Sequence, residues 1–196
     1  FAGMEATLAQ RNIAAHPSVL SGDIDKDDIN TDGNFIAETA ADLAGDNAYQ
    51  VVRSDTSDAA TVLDGFTITA GRALGANPWD KFGGGMYIVD GSPTLANLTF
   101  SGNYAYRGGA VHADNSSSTL TNILFSGNSS DTHGGGLDNF TSSNLTLTNV
   151  VFSANHSMYG GGMQNTNSVA TLINVLFSGN SASADGGGLH NDLSNA

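Results

Sequence analysis

The chain has 196 residues, 19 Asp plus Glu against six Lys plus Arg, and a formal net charge of −13. That balance excludes nucleic acid as a partner, because neutralising phosphates needs clustered cations. Cysteine is absent, which excludes disulfides, and no stretch is long and apolar enough for a transmembrane helix. A chain that opens on Phe1 rather than Met is expected to be a trimmed or partial piece, so a missing signal peptide carries little weight.

Residues 1–50 read as an irregular leading segment that packs on or caps the coils after it. Its acidic run, from Asp23 to Asn34, carries the most specific chemistry in this part of the chain. Oxygen-bearing side chains at alternate positions before a glycine are how a calcium loop begins, and Asp28, Asn30, Asp32 and Gly33 fit the first half of that pattern. The second half fails, since Thr39 stands where a bidentate acid is needed. The expectation is therefore a looser calcium loop, with Asp23, Asp25, Asp28, Asn30 and Asp32 as the ligands and calcium as the cofactor. Val51–Gly71 reads as a first coil with Leu63, Phe66 and Ile68 inward, and residues 72–81 as a projecting loop.

From residue 83 onward the chain repeats itself. The block Asn-x-x-Phe-Ser-Gly/Ala-Asn starts at Asn97, Asn122, Asn149 and Asn174, and glycine runs open at Gly83, Gly108, Gly134, Gly160 and Gly186, so the glycine runs recur with a period of 25 or 26 residues. Such a period marks a solenoid, whose units bury their apolar faces only by stacking. Within one period, short apolar stretches alternate with Thr and are separated by Gly, Asn and Ser, the chemistry of strands and turns. The predicted fold is all-β: a right-handed parallel β-helix spanning 51–196, continuing or stacking beyond its last coil, with coils about 4.8 Å apart.

Equivalent residues then form columns. The inward ones are Leu95/Leu120/Leu147/Leu172, Leu98/Ile123/Val150/Val175, Phe100/Phe125/Phe152/Phe177 and Met86/Val111/Leu137/Met163/Leu189. Two asparagine columns, starting at Asn97 and Asn103, are expected at bends, where side-chain amides can bond their counterparts one coil away. Two outward columns border the glycines: Phe82, Arg107, His133, Tyr159 and Asp185 just before them, and Tyr87, His112, Asp138, Gln164 and His190 just after. Of these, Arg107, His112, His133, Asp138 and Tyr159 are the predicted binding face for a sugar chain. The outward column Thr67, Thr99, Leu124, Val151 and Leu176 turns apolar after two coils, so it is expected to pack on a partner or a covering loop.

The paired Gly-Gly-Ala/Gly and Phe-x-x-Asn signatures, four times in register over residues 83–191, resemble the repeat of the polymorphic outer membrane proteins. The leading part, from Phe1-Ala-Gly-Met-Glu5 to Ile68, is similar to bacterial secreted proteins with pectate-lyase-like β-helices. The resemblance implies an extracellular or bacterial cell-surface location and a structural or adhesive module without catalysis. Self-association or end-to-end stacking and a surface polysaccharide are the expected partners. The alternative is a calcium-dependent carbohydrate-binding or polysaccharide-cleaving β-helix. No tight carboxylate pair or Ser-His-Asp order is legible in the columns.

Overall fold

A computed structural model of the chain describes residues 10–13 and 15–194. The Phe1-Ala-Gly-Met-Glu stretch and Ala196 lie outside them. The described residues form a parallel β-helix with three sheets running along its axis. The first sheet orders Ser18–Ser21 (β1), Phe66–Thr69 (β4), Thr99–Ser101 (β8), Thr119–Ser126 (β11), Asn144–Ser153 (β14) and Val169–Ser178 (β17). Val62–Asp64 (β3) and Thr94–Ala96 (β7) continue it beside the first half of β11. The second sheet orders Val52–Asp55 (β2), Met86–Val89 (β6), Val111–Asp114 (β10), Leu137–Phe140 (β13), Met163–Thr166 (β16) and Leu189–Asp192 (β19). The third orders Arg72–Ala73 (β5), Tyr104–Arg107 (β9), Ser129–His133 (β12), His156–Tyr159 (β15) and Ser181–Asp185 (β18).

The core lies between the three sheets and is built from the columns read in the sequence. Leu120 pairs with Leu95 and Leu147, and Val111 with Met86 and Leu137. The phenylalanines stack face to face, with centroids 5.2, 4.7 and 4.8 Å apart from Phe100 through Phe177. Leu120 and Ile123 both point inward although three residues apart, which strict strand alternation forbids. Asn122 resolves the conflict by adopting a left-handed backbone, φ 56°, inside β11. That single residue resets the alternation, and Asn97, Asn149 and Asn174 repeat the device. Asparagine tolerates this region better than most side-bearing residues. The sequence places these asparagines at bends between strands, whereas the structure places Asn122, Asn149 and Asn174 within continuous strands.

In the second asparagine column Asn103, Asn128 and Asn155 are buried. Asn128 donates from Nδ2 to Asn155 Oδ1 (3.0 Å) and to the Phe100 carbonyl (3.0 Å), and its Oδ1 accepts from the Asn103 backbone N–H and Nδ2. Every coil thus supplies the amide that the next coil needs. The turn glycines complete the geometry: Gly134 has φ +62°, and a Cβ on Gly135 would lie 2.4 Å from the His156 carbonyl oxygen.

The leading segment adds β1 to the first sheet, Leu20 pairing with Ile68. Farther on, Ala37 crosses the outside of that sheet. Its carbonyl accepts from Ser101 Oγ (2.8 Å), and its N–H donates to Thr69 Oγ1 (2.9 Å).

Candidate functional site

The two columns that border the glycines come together through strand register. Tyr87, His112, Asp138, Gln164 and His190 are paired neighbours along the second sheet, with side chains pointing away from the core. Phe82, Arg107, His133, Tyr159 and Asp185 are neighbours along the third. The glycine turn between the sheets lets the second set fold over the first. Phe82 stacks on the His112 ring at 4.7 Å, and the Arg107 guanidinium lies 4.2 Å over the Phe140 ring.

This covering layer makes the row polar but buried. Asp138 is 0 % exposed and His112 2 %. Asp138 Oδ2 accepts from Arg107 Nε (2.8 Å) and lies 2.9 Å from His112 Nδ1, while Oδ1 faces Arg107 Nη2 at 3.3 Å. Burial pushes the Asp138 carboxyl up, but His112 and Arg107 outweigh it and hold it below the ordinary aspartate range. Of the five residues of the predicted binding face, the structure joins Arg107, His112 and Asp138. His133 and Tyr159 instead stack on each other at 5.3 Å. His133 is pushed down by its own burial and then by the Arg107 charge. An Asp–His pair is the orienting half of a general base. Here the imidazole is sealed beneath Phe82, so the pair is placed as a strut between coils.

The acidic loop is arranged differently from its expected ligand set. Asp23, Asp25 and Asp27 bring one carboxylate oxygen each to within 4.8 Å of one another. Asp28 is turned away, accepting from the Ala44 N–H (2.7 Å) and Asn47 Nδ2 (2.8 Å). Asn30 Oδ1 accepts from the Gly33 N–H, and Asp32 accepts from Asn34, so both close turns. Partial desolvation, followed by the hydrogen bond and charge of Asp25, pushes the Asp27 carboxyl up. The Asp46 backbone N–H holds Asp25 down. Asp23, Asp25 and Asp27 are therefore the residues that could hold a divalent cation. Asp27 was not singled out in the sequence, where its even spacing from Asp23 and Asp25 was the available signal. A cavity of about 270 Å³, bordered by Asp23, Lys26, Ile29 and Phe35, opens beside them.

On the first sheet, Thr67, Thr99, Leu124 and Val151 line a shallow outer groove beside the exposed Asn97/Asn122/Asn149 ladder. Ile13 and Pro17 of the leading segment border this groove.

The Chlamydia polymorphic membrane protein repeat matches residues 97–114, 122–139 and 174–192. Those three segments are similar to the repeat of that family, which comprises bacterial outer-membrane or surface proteins. The unit 149–166 lies between matched segments and keeps the same register in the structure. Comparison with curated proteins and with solved structures returned no significant match. Among the described residues no helix is long and apolar enough to cross a membrane.

Proposed function

We propose that this chain is a surface-displayed structural and adhesive β-helix module. The observation that carries the reading is the contrast between its inside and its outside. The leucine and phenylalanine columns keep their character from coil to coil, whereas the half-buried to exposed outward row of the third sheet runs Arg72, Tyr104, Ser129, His156, Ser181 on the same backbone. A stiff scaffold with unlike side chains at equivalent surface positions suits presentation to partners, and the repeat family supports a surface location. Beads coated with the protein should be retained on cell surfaces, or clump with one another through self-association, while beads coated with an unrelated acidic protein do neither. Beads that remain dispersed and unretained would sink the reading.

The second reading, a calcium-dependent carbohydrate-binding β-helix, is favoured by one observation, the convergence of Asp23, Asp25 and Asp27. Bound calcium would lock the leading segment against the first coil. At a calcium concentration about 100 times the dissociation constant, stabilisation is about 2.7 kcal/mol. The melting temperature should then rise by roughly 5–10 °C. The combined Asp25→Asn and Asp27→Asn substitutions should abolish that rise; a rise that survives them would place the ion elsewhere.

A further inference from the structure

Along the second sheet the repeat is broken at one place. Paired strands of the second sheet are 25 or 26 residues apart from β6 onward, but Val52 pairs with Met86, a separation of 34. Most of the surplus lies in the loop between β5 and β6, which contains the chain's single tryptophan, Trp79. In repeat proteins, insertions of this kind concentrate on binding faces.

The loop is fixed rather than slack. Pro78–Lys81 forms a 3-10 turn, Asp80 N–H donates to the Asn77 carbonyl (3.1 Å), and Gly75 N–H donates to the Asp80 carbonyl (3.0 Å). Gln50 Nε2 ties the carbonyls of Trp79 (2.9 Å) and Phe82 (3.1 Å) to the first coil. Despite this anchoring, Trp79 is 56 % exposed. Tyr49, 47 % exposed, lies against the same loop, its ring 2.8 Å from where a Cβ on Gly75 would stand. The parallel bridge between Phe82 and Arg107 sets Lys81 beside Tyr106, whose ring lies 5.9 Å from Lys81 Nζ and is 43 % exposed.

The third sheet is irregular at the same spot. Ser130 pairs with Ala105 but His133 with Arg107, so Asp131 and Thr132 of β12 both stand opposite Tyr106. This bulge carries the Asp131 carboxylate to the Tyr104 hydroxyl, which donates to it, and Thr132 Oγ1 to the Tyr106 carbonyl (2.8 Å). Bulges beside functional sites re-aim side chains in this way.

We infer that Tyr49, Trp79 and Tyr106, with Asp80 beside Tyr49 and Asp131 beside Tyr106, form a surface that binds a neutral glycan. A pyranose presents apolar C–H faces bordered by hydroxyls, and exposed ring faces interspersed with hydrogen-bonding carboxylates complement both. The net charge of −13 disfavours sulfated or uronate chains. A loop whose backbone is already held by hydrogen bonds loses little entropy on binding. This inference rests on the adhesive reading and gives it a location and a ligand class.

The test is retention of the intact chain on immobilised hexamers of β-1,4-glucose and N-acetylglucosamine, beside sulfated and uronate hexamers, with Trp79 emission as an independent signal. A neutral hexamer should be retained and shift the emission. Trp79→Ala should weaken retention by about tenfold, Trp79→Phe should restore most of it, and the melting temperature should not move. Failure of the native chain to retain any neutral hexamer, preference for the charged ones, or undiminished retention by Trp79→Ala would each overturn the glycan-binding surface. If coated beads still adhere to cells in any of those cases, the adhesive module stands and its contact lies elsewhere. Adhesion lost on Trp79→Ala without glycan retention would point to a protein partner and overturn the glycan assignment.

Discussion

Phe125→Ala is expected to be among the most damaging single changes in the chain, lowering stability by about 3–5 kcal/mol. Phe125 is fully buried and has a ring on each side, Phe100 at 5.2 Å and Phe152 at 4.7 Å. Truncation removes the transfer free energy of the ring, opens a cavity in a column that strand register prevents from closing, and interrupts both stacking contacts. Stability in a solenoid is nearly a sum of units and nearest-neighbour interfaces. Weakening one middle interface should therefore uncouple the coils before it from those after it. Urea titration followed by circular dichroism should show a lower midpoint and a broader transition than the native chain. Phe125→Leu should recover a large part of the loss. An unchanged midpoint for the alanine variant would mean that the phenylalanine column does not hold the coils together.

The columns around Phe125 were legible because a solenoid writes its geometry directly into sequence spacing. Residues 25 to 27 apart must stack, so apolar identity at equivalent positions is both necessary and visible. The parity reset at Asn122 was hidden. It depends on one residue's backbone angle, and the same asparagine reads equally well as a turn residue between strands. A third asparagine ladder, Asn139 to Asn165 (2.9 Å) to Asn191 (2.8 Å), also went unread although its spacing is as regular as the others. It occupies an inward position filled by Ile88 and Ala113 in earlier coils, where the apolar pattern leads one to look for another hydrophobe.

Side chains off the core were harder to read for a different reason. Spacing says which residues stand side by side, but not whether a neighbouring row folds over them. His112 and Asp138 point away from the core as the sequence implies, yet they are covered because the glycine turn brings Phe82 and Arg107 across them. The acidic loop has no repeat to constrain it. Its carboxylates sort into a convergent set and a turn-closing set according to which backbone N–H groups lie nearby, and Asp28 is drawn off by Ala44. The aromatic surface around Trp79 combines an insertion, a bulge and a residue from the leading segment, none of which shares the period.

The buried strut yields a prediction that separates its charge from its shape. Asp138→Asn keeps the size of the side chain but removes the negative charge, leaving the Arg107 guanidinium, 16 % exposed, without its counter-charge. Breaking a buried pair from one side costs about 3–5 kcal/mol, and the partial exposure of Arg107 places the expected loss near the lower end, at about 3 kcal/mol. For a chain of this length that corresponds to a fall in melting temperature of roughly 6–12 °C. The pH dependence comes from the depressed pKa of Asp138. A carboxyl held below its ordinary value of 3.8 contributes stability that is present above that pH and is lost as the pH falls through the folded-state value. The gap between native and variant melting temperatures should therefore shrink as the pH falls below 3.8 and the native chain loses its advantage. Arg107→Ala should also be destabilising and should raise the pH at which the native carboxyl titrates, because one of the groups holding it down is gone. A native-to-variant gap that remains the same at about pH 3 as at about pH 7 would show that ionisation of Asp138 contributes nothing to the coil-to-coil strut.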